Sequence, residues 1–558
     1  MKQTIQKWGL VLLAALPLTG CIDKNYDLDD IDTTMRFSLK ELTVPVNLDS
    51  IKLKDIFSLN PDDPNATIRV VDGKYAVVKN GTFTSSPIFI DRFTISAPKC
   101  DPVTAQIPIL GDGEYEIATP ATAFSGSAYS ITADLTRLYG ISTDFDLVIT
   151  PRLIETAATG SLRNGVFSLI KGMTATSRQG SYDSDTGELT LGGDLPLGES
   201  VTLHVTRIDT EKAGVEFNAE HHTALFRGEC SLKEGKLNLQ ANGARQATFD
   251  LSFTFGEIPA LAVDARFKSN IGDVDVSDVM IDGIPAMLNN DETNLILDNP
   301  QIHLSLRNPL QDLHVYASSG LTITAHRDNG AADRKFSPDP NRFSTSLDHQ
   351  DGIYNFCMSP VFAEYEGYPD SKFVPFPSME NILSGEGLPK RLTVDLDDPT
   401  FPEQDLIGLP MGKDLGAAEG HFTFFVPLAL KPGSLIVYSD TMDGWSQDLD
   451  SLVVQKLVVD CDALNQLPVD LEFQGYPIDS EGKRINNVEI TGAKLAAGAE
   501  VQHLTLQITG EIRGIDGLTF VAYARSEKEE IARQLTPQMS IILTKIRPTI
   551  TGYYQKEF

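Results

Sequence analysis

Hydrolytic or acyl-transfer chemistry needs paired carboxylates in a cleft, or a nucleophile with a base and an orienting group. The chain has 77 acidic residues, so carboxylates close together in sequence are unavoidable. The least ordinary set is Asp395, Asp397 and Asp398, beside a proline-rich segment. Across a cleft, such carboxylates would serve glycoside hydrolysis. On so acidic a chain a solvated loop is the simpler account. No G-x-S-x-G elbow, Walker loop or H-E-x-x-H helix occurs, and no cofactor is implied.

Metal binding has two candidates. Asp183, Asp185 and Glu188 surround Gly187 in a way that resembles the opening of a calcium loop. An EF-hand wants Asp or Asn at its fifth position and Gly at its sixth; here Gly187 already holds the fifth and Glu188 closes too early. Tyr182 before and Leu189-Thr190-Leu191 after make a hairpin tip the expectation. His221 and His222 could join Cys230, but adjacent strand residues point to opposite faces, so polar surface is expected. Cys100, Cys230, Cys357 and Cys461 are widely spaced with no C-x-x-C pair, which excludes a zinc framework and a small disulfide scaffold. Single, mostly buried thiols are the reading. Trp445, in Thr441-Met442-Asp443-Gly444-Trp445, is the candidate ligand-binding aromatic, because a loop tryptophan can stack on a sugar ring. A tryptophan capping the core competes with that reading.

The fifth cysteine stands apart. Lys2 and Lys7 precede an apolar run from Trp8 to Leu18, and small residues then lead to Cys21. This is the layout of a secretory signal. Leu18-Thr19-Gly20-Cys21 resembles the lipobox of bacterial lipoproteins, which implies cleavage before Cys21 by signal peptidase II and lipidation of that cysteine. The residues after it, Asp23 and then Asp27 to Asp32, resemble the acidic signal by which Bacteroidetes-type lipoproteins reach the outer face of the outer membrane. Ile22 directly follows the cysteine, so the aspartate that retains enteric lipoproteins at the inner membrane is missing. The resemblance extends to the large, uncharacterised β-rich lipoproteins of that group. It implies location and architecture, not an activity.

Removing residues 1–20 leaves 538 of 558 residues, enough for roughly three to four domains. The loss of Lys2 and Lys7 takes the formal charge from −31 to −33, a surface that repels phosphate backbones and argues against nucleic acid. Beyond the signal no apolar run approaches the ~20 residues of a spanning helix. The expectation is a body held by lipid.

Strands must position whatever the body binds. Phe37 and Leu39, then Leu42, Val44, Val46 and Leu48, alternate as half-buried strands do. Asp72-Gly73 and Asn80-Gly81 read as hairpin turns, and Asn164-Gly165 and Glu234-Gly235 are among the later punctuators at sandwich-like spacing. Ala133–Tyr139 reads as a helical turn or two before Gly140. Pro309 should lie at a strand end or edge, and the strand, Asn308-Pro309 corner and returning strand resemble late-embryogenesis-abundant type 2 sandwiches over a short stretch. Leu304–Tyr316 is echoed by Leu428–Tyr438, through duplication or through similar edge hairpins. Proline density over 329–402 predicts a loop-rich connection or insertion. Ser526 and Glu529 fit a capping box, predicting one short helix ended by Pro537.

The expected fold is all-β, with several tandem antiparallel β-sandwich (Ig-like) domains and very few short helices. Its parts are a signal at 1–20, an acidic tether at 21–33, β-rich domains at 34–255 and a sandwich at 256–328. The proline-rich region at 329–402 and a C-terminal sandwich with one short helix at 403–558 follow. The expected role is a binding, adhesion or envelope-assembly protein, attached to the outer membrane through Cys21, with a glycan or another envelope protein as partner. Cell-surface display is the expected location, with the periplasmic face as the alternative. A polysaccharide-processing enzyme and a carrier of apolar molecules are the other readings. One acyl chain binds a bilayer only marginally, so a stable hold needs the several chains that lipobox proteins carry. Cys21→Ser should therefore leave the membrane fraction while its β domains stay folded; firm retention of the variant on membranes would reveal a second anchor.

Overall fold

The structure is a computed structural model that describes residues 34–43, 50–57, 66–272, 274–285, 288, 290–345, 352–385, 387–444, 452–486, 488–498, 500–527 and 534–557. Strand accounts for 60 % and helix for 3 %, which makes the chain all-β. Leu53–Phe57 is the one α-helix among the described residues. Val44, Val46, Leu48 and most of the helix expected after Ser526 fall outside them.

Alternation builds three sandwich-like layer pairs. In the first, Phe145, Leu147 and Ile149 of strand Leu135–Ile154 turn inward with Leu203 and Val205 of Val201–Asp209. They share a core with Leu162, Phe226 and Leu237 on the facing sheet of Thr159–Ser168 and Thr223–Gln240. The central sandwich faces Ser318–His326 and Arg391–Pro410 with a second sheet. That sheet runs in the order Val274–Val276, Lys74–Ser85, Glu419–Pro427, Gln301–Arg307, Ile353–Ser359 and Lys372–Pro375. In the third, Thr34–Thr43, Ser540–Glu557, Leu452–Asn465 and Gln502–Ile512 lie in one sheet, and Leu435–Met442, Gly517–Arg525 and Asp470–Ile478 in the other. Local hairpins are combined with long-range pairing: Lys74–Ser85 lies between Val274–Val276 and Glu419–Pro427, so segments far apart in the chain share one sheet.

Asp72-Gly73 forms the expected hairpin, both residues at positive φ. Asn80-Gly81 does not turn; it lies inside strand Lys74–Ser85. Gly81 pairs across the sheet with Phe422, and Phe83 with Gly420, so each phenylalanine ring lies where a side chain on the opposite glycine would stand. Asn164-Gly165 likewise sits within a strand, at a register shift opposite Glu234, with Asn164 at φ 46. Ala133–Tyr139 is not helical: from Leu135 onward it is strand. Register shifts between Leu135 and Arg137 and between Leu138 and Gly140 bring Leu135 and Leu138, three residues apart, to one core, a spacing that mimics a helix.

The proline-rich segment is not one loop: it supplies strands Ile353–Ser359 and Lys372–Pro375 to the central sheet, and Arg391–Pro410 is a 20-residue strand that contains Pro399 and Pro402. It pairs with Ser318–His326 over its first half and with Ala262–Asn270 over its second. The prolines stand at the change of partner, where a missing N–H removes no ladder bond.

Asn308 follows strand Gln301–Arg307, as Pro309 requires, and carries the chain across the central sandwich. Its Nδ2 donates to the Val315 carbonyl at 2.6 Å and its Oδ1 accepts from the Leu310 N–H at 3.0 Å. The same clasp recurs in the third sandwich. Asn465 Nδ2 donates to the Val469 carbonyl at 2.7 Å and its Oδ1 accepts from the Leu467 N–H at 3.0 Å. The geometry of the Asn308 corner thus recurs at Asn465.

Gly81→Ala should destabilise the protein by about 1–3 kcal/mol, because the added methyl falls inside the Phe422 ring. Gly193→Ala, whose methyl would meet nothing within 4 Å, is the control. Equal urea midpoints for both variants would refute the packing account.

Candidate functional site

Cys21, the lipobox residues Leu18, Thr19 and Gly20, and the aromatic candidate Trp445 lie outside the described residues. The remaining cysteines are free thiols; Cys100 is half-buried, while Cys230, Cys357 and Cys461 are buried. Burial pushes the Cys230 thiol far above its ordinary range. His221 and His222 occupy the turn between Val215–Asn218 and Thr223–Gln240, not a strand as expected.

Asp183 to Glu188 is a hairpin tip between Gly180–Asp183 and Glu188–Leu191. Asp183 Oδ1 accepts from the N–H groups of Asp185 at 2.8 Å and Thr186 at 3.3 Å, which holds its carboxyl below the usual range. Asp185 faces Lys212 Nζ at 2.9 Å, so a cation is already supplied by the chain. Of the acidic trio, Asp397 accepts from Thr322 Oγ1 at 2.6 Å and Asn341 Nδ2 at 3.1 Å, and Asp398 turns the backbone at φ 44. The Asp397 carboxylate thus serves the fold. Among the described residues no group of three or more His, Cys, Asp or Glu side chains is placed to hold a metal.

The structure brings other residues together. On the central sheet, Phe83, Leu304, Phe356 and Phe422 point into the core, so their neighbours form an outer face. Register aligns that face in rows across the strands. The first row is Asp275, Thr84, Glu419, Arg307 and Ile353. The second is Thr82, His421, Ser305 and Asn355, with Ser277 Oγ 3.3 Å from Thr82 Oγ1 at its end. All of these but Asn355 line an open groove of ≈ 680 Å³ that adjoins a second of ≈ 530 Å³. Five strands at ~4.8 Å spacing give the floor a length of roughly 19 Å.

The charges on this floor are available. Arg307 and Glu419 are direct cross-strand neighbours, yet neither they nor Asp275 forms an ion pair or side-chain hydrogen bond among the described residues. The exposed His421 ring packs against Tyr368, at 5.4 Å between centroids. A guanidinium, two carboxylates, an imidazole and several hydroxyls thus face solvent in one preformed groove.

Beyond the second row the same face is roofed by the segment that follows Ile353–Ser359. Tyr365 stacks on His303 at 4.8 Å and packs against Phe425 at 5.1 Å. Tyr368 bonds Thr423 Oγ1 at 2.8 Å, and Thr423 donates onward to Asn80 Oδ1 at 2.9 Å. Asn355 Nδ2 donates to the Pro369 carbonyl at 2.8 Å and ties the roof to the floor. His303 is fully buried, with Nε2 2.8 Å from Gln301 Oε1. An amide oxygen only accepts, so Nε2 carries the proton and Nδ1 is a buried acceptor without a partner. Burial lowers the His303 pKa to about 4. Its ordinary value is 6.5, so the unfolded chain takes up this proton first as pH falls. The stabilisation from keeping His303 neutral is whole above pH 6.5 and is lost on descent toward pH 4. The slope is at most about 1.4 kcal/mol per pH unit. His303→Phe should flatten unfolding free energy against pH in that window; an unchanged slope would show that another group titrates.

No family model matches the chain, and no curated protein matches it. Among solved structures it is similar to the crystal structure of "a putative secreted protein from Parabacteroides distasonis ATCC 8503". Identity is 10 %, over 92 % of this chain and 99 % of that one, with a TM-score of 0.43. A Faustovirus major capsid protein aligns at 8 % identity over 99 % of this chain and 92 % of that one, with a TM-score of 0.07.

Proposed function

We propose that the chain is an outer-membrane lipoprotein, lipidated at Cys21 and displayed at the cell surface, whose body binds a polar ligand in the cross-strand groove. The observation that carries the binding role is the set of unpaired charges on the groove floor: Asp275, Glu419 and Arg307. Attachment rests on the lipobox and the acidic residues after it. Residues 21–33 would span at most roughly 45 Å when extended. They lead into Thr34, whose strand pairs with the last one, Ser540–Glu557.

Polysaccharide hydrolysis is the second reading, favoured by Asp275 and Glu419 standing in one row two strand spacings apart, roughly 10 Å. Both are exposed, without the apolar enclosure in which a general acid keeps its proton, so binding is preferred. Carriage of an apolar molecule has less support. The cavity between the central sheets, lined by Phe83, Leu304, Phe343 and Phe401, holds ≈ 40 Å³, far short of a lipid chain.

Protease applied to intact cells should degrade the body, and survival of the chain until the outer membrane is opened would end the surface reading. Purified protein incubated with polysaccharides should release no new reducing ends. Release that disappears in Glu419→Gln would replace binding with hydrolysis.

A further inference from the structure

We infer that the groove takes a neutral polysaccharide, its chain laid across the strands with hydroxyls toward the floor. This rests on reading the groove as the binding surface and names the ligand class. The floor is roughly 19 Å long, and its polar groups repeat at strand spacing over four strands, roughly 14 Å. A chain of sugar rings presents hydroxyls and ring oxygens at a comparable interval. Asp275 and Glu419 can each accept from a pair of vicinal hydroxyls, and Arg307, next to Glu419 in the row, can donate to the oxygens of the adjoining sugar. The His421 ring, backed by Tyr368, and the exposed Ile353 at the row's end offer surfaces for the C–H faces of sugar rings.

Competing ligands fit less well. Two carboxylates against one guanidinium, on a chain of formal charge −31, disfavour acidic polymers and nucleic acids. A peptide adding as a strand needs free backbone groups at a sheet edge. This floor is a sheet face, where Lys74–Ser85, Glu419–Pro427 and Gln301–Arg307 are each paired on both sides. Apolar molecules would leave the floor's charges desolvated and unpaired.

The test is affinity electrophoresis of the full lipidated chain in detergent, through gels containing amylopectin, galactomannan, arabinoxylan or polygalacturonate. At least one neutral polymer should retard the protein and polygalacturonate should not. Glu419→Gln and Arg307→Gln should each weaken retardation about tenfold or more, the effect of losing one charge-assisted hydrogen bond, with melting temperatures unchanged. Retardation by polygalacturonate alone would overturn the charge argument. Retardation that both variants leave intact would move the glycan elsewhere and remove the groove reading as well. If no polymer retards the chain, the glycan class is wrong, and a photo-crosslinker at Thr84 on intact cells separates the two failures. A covalent adduct would keep the groove as a binding surface for other chemistry, and no adduct would end that reading too.

Discussion

Strand Arg391–Pro410 has to satisfy two cores at once. Leu392 and Val394, near its start, are buried with Phe356 and Phe422 in the central sandwich. Phe401, Leu406 and Leu409, near its end, are buried with Phe145 and Leu147 in the first. Each such side chain contributes about 1.5–3 kcal/mol of transfer free energy, so neither half can leave its core cheaply. The switch between partners falls where Pro399 and Pro402 interrupt the ladder. A residue type that usually ends strands here marks the seam between two cores of one sheet.

The central sheet also separates a packed face from a polar one. Its inner face holds the paired exchanges of Gly81 with Phe422 and Phe83 with Gly420. Its outer face presents Thr82 and His421 from the same two strands. Because successive residues alternate faces, the outer set can change chemically without touching the core. The roof over His303 divides that face into a buried half, held by Tyr365 and Tyr368, and an open half that is the groove.

The fold class was legible because alternation is local: Phe422, Phe424 and Val426 declare one buried face without reference to any partner. The errors arose where a local signal had a non-local cause. Gly81 exists for a ring more than three hundred residues along the chain, not for a turn after Asn80. Leu135 and Leu138 share a face because a bulge resets the period. The groove was illegible for the same reason. Thr84, Asp275, Arg307 and Glu419 become neighbours only through the register of four strands, and register depends on every pairing between them. Their side chains could be read as facing outward, but not as facing one another. The proline-rich stretch 329–402 supplies part of the roof, Tyr365 and Tyr368, and none of the floor's charges.

The pairing of Thr34–Thr43 with Ser540–Glu557 has a mechanical consequence. Thr34 lies opposite Glu557 and Thr43 opposite Thr549, so the first described strand is laced along the last over most of its length. The last strand is in turn laced to Leu452–Asn465. A pull on the chain at Thr34 enters this ladder at its end. When the pull runs along the strand, the rungs bear it together as shear, not one after another as in a peeling zipper. Force applied there must break many rungs at once before the first described strand can leave the sheet.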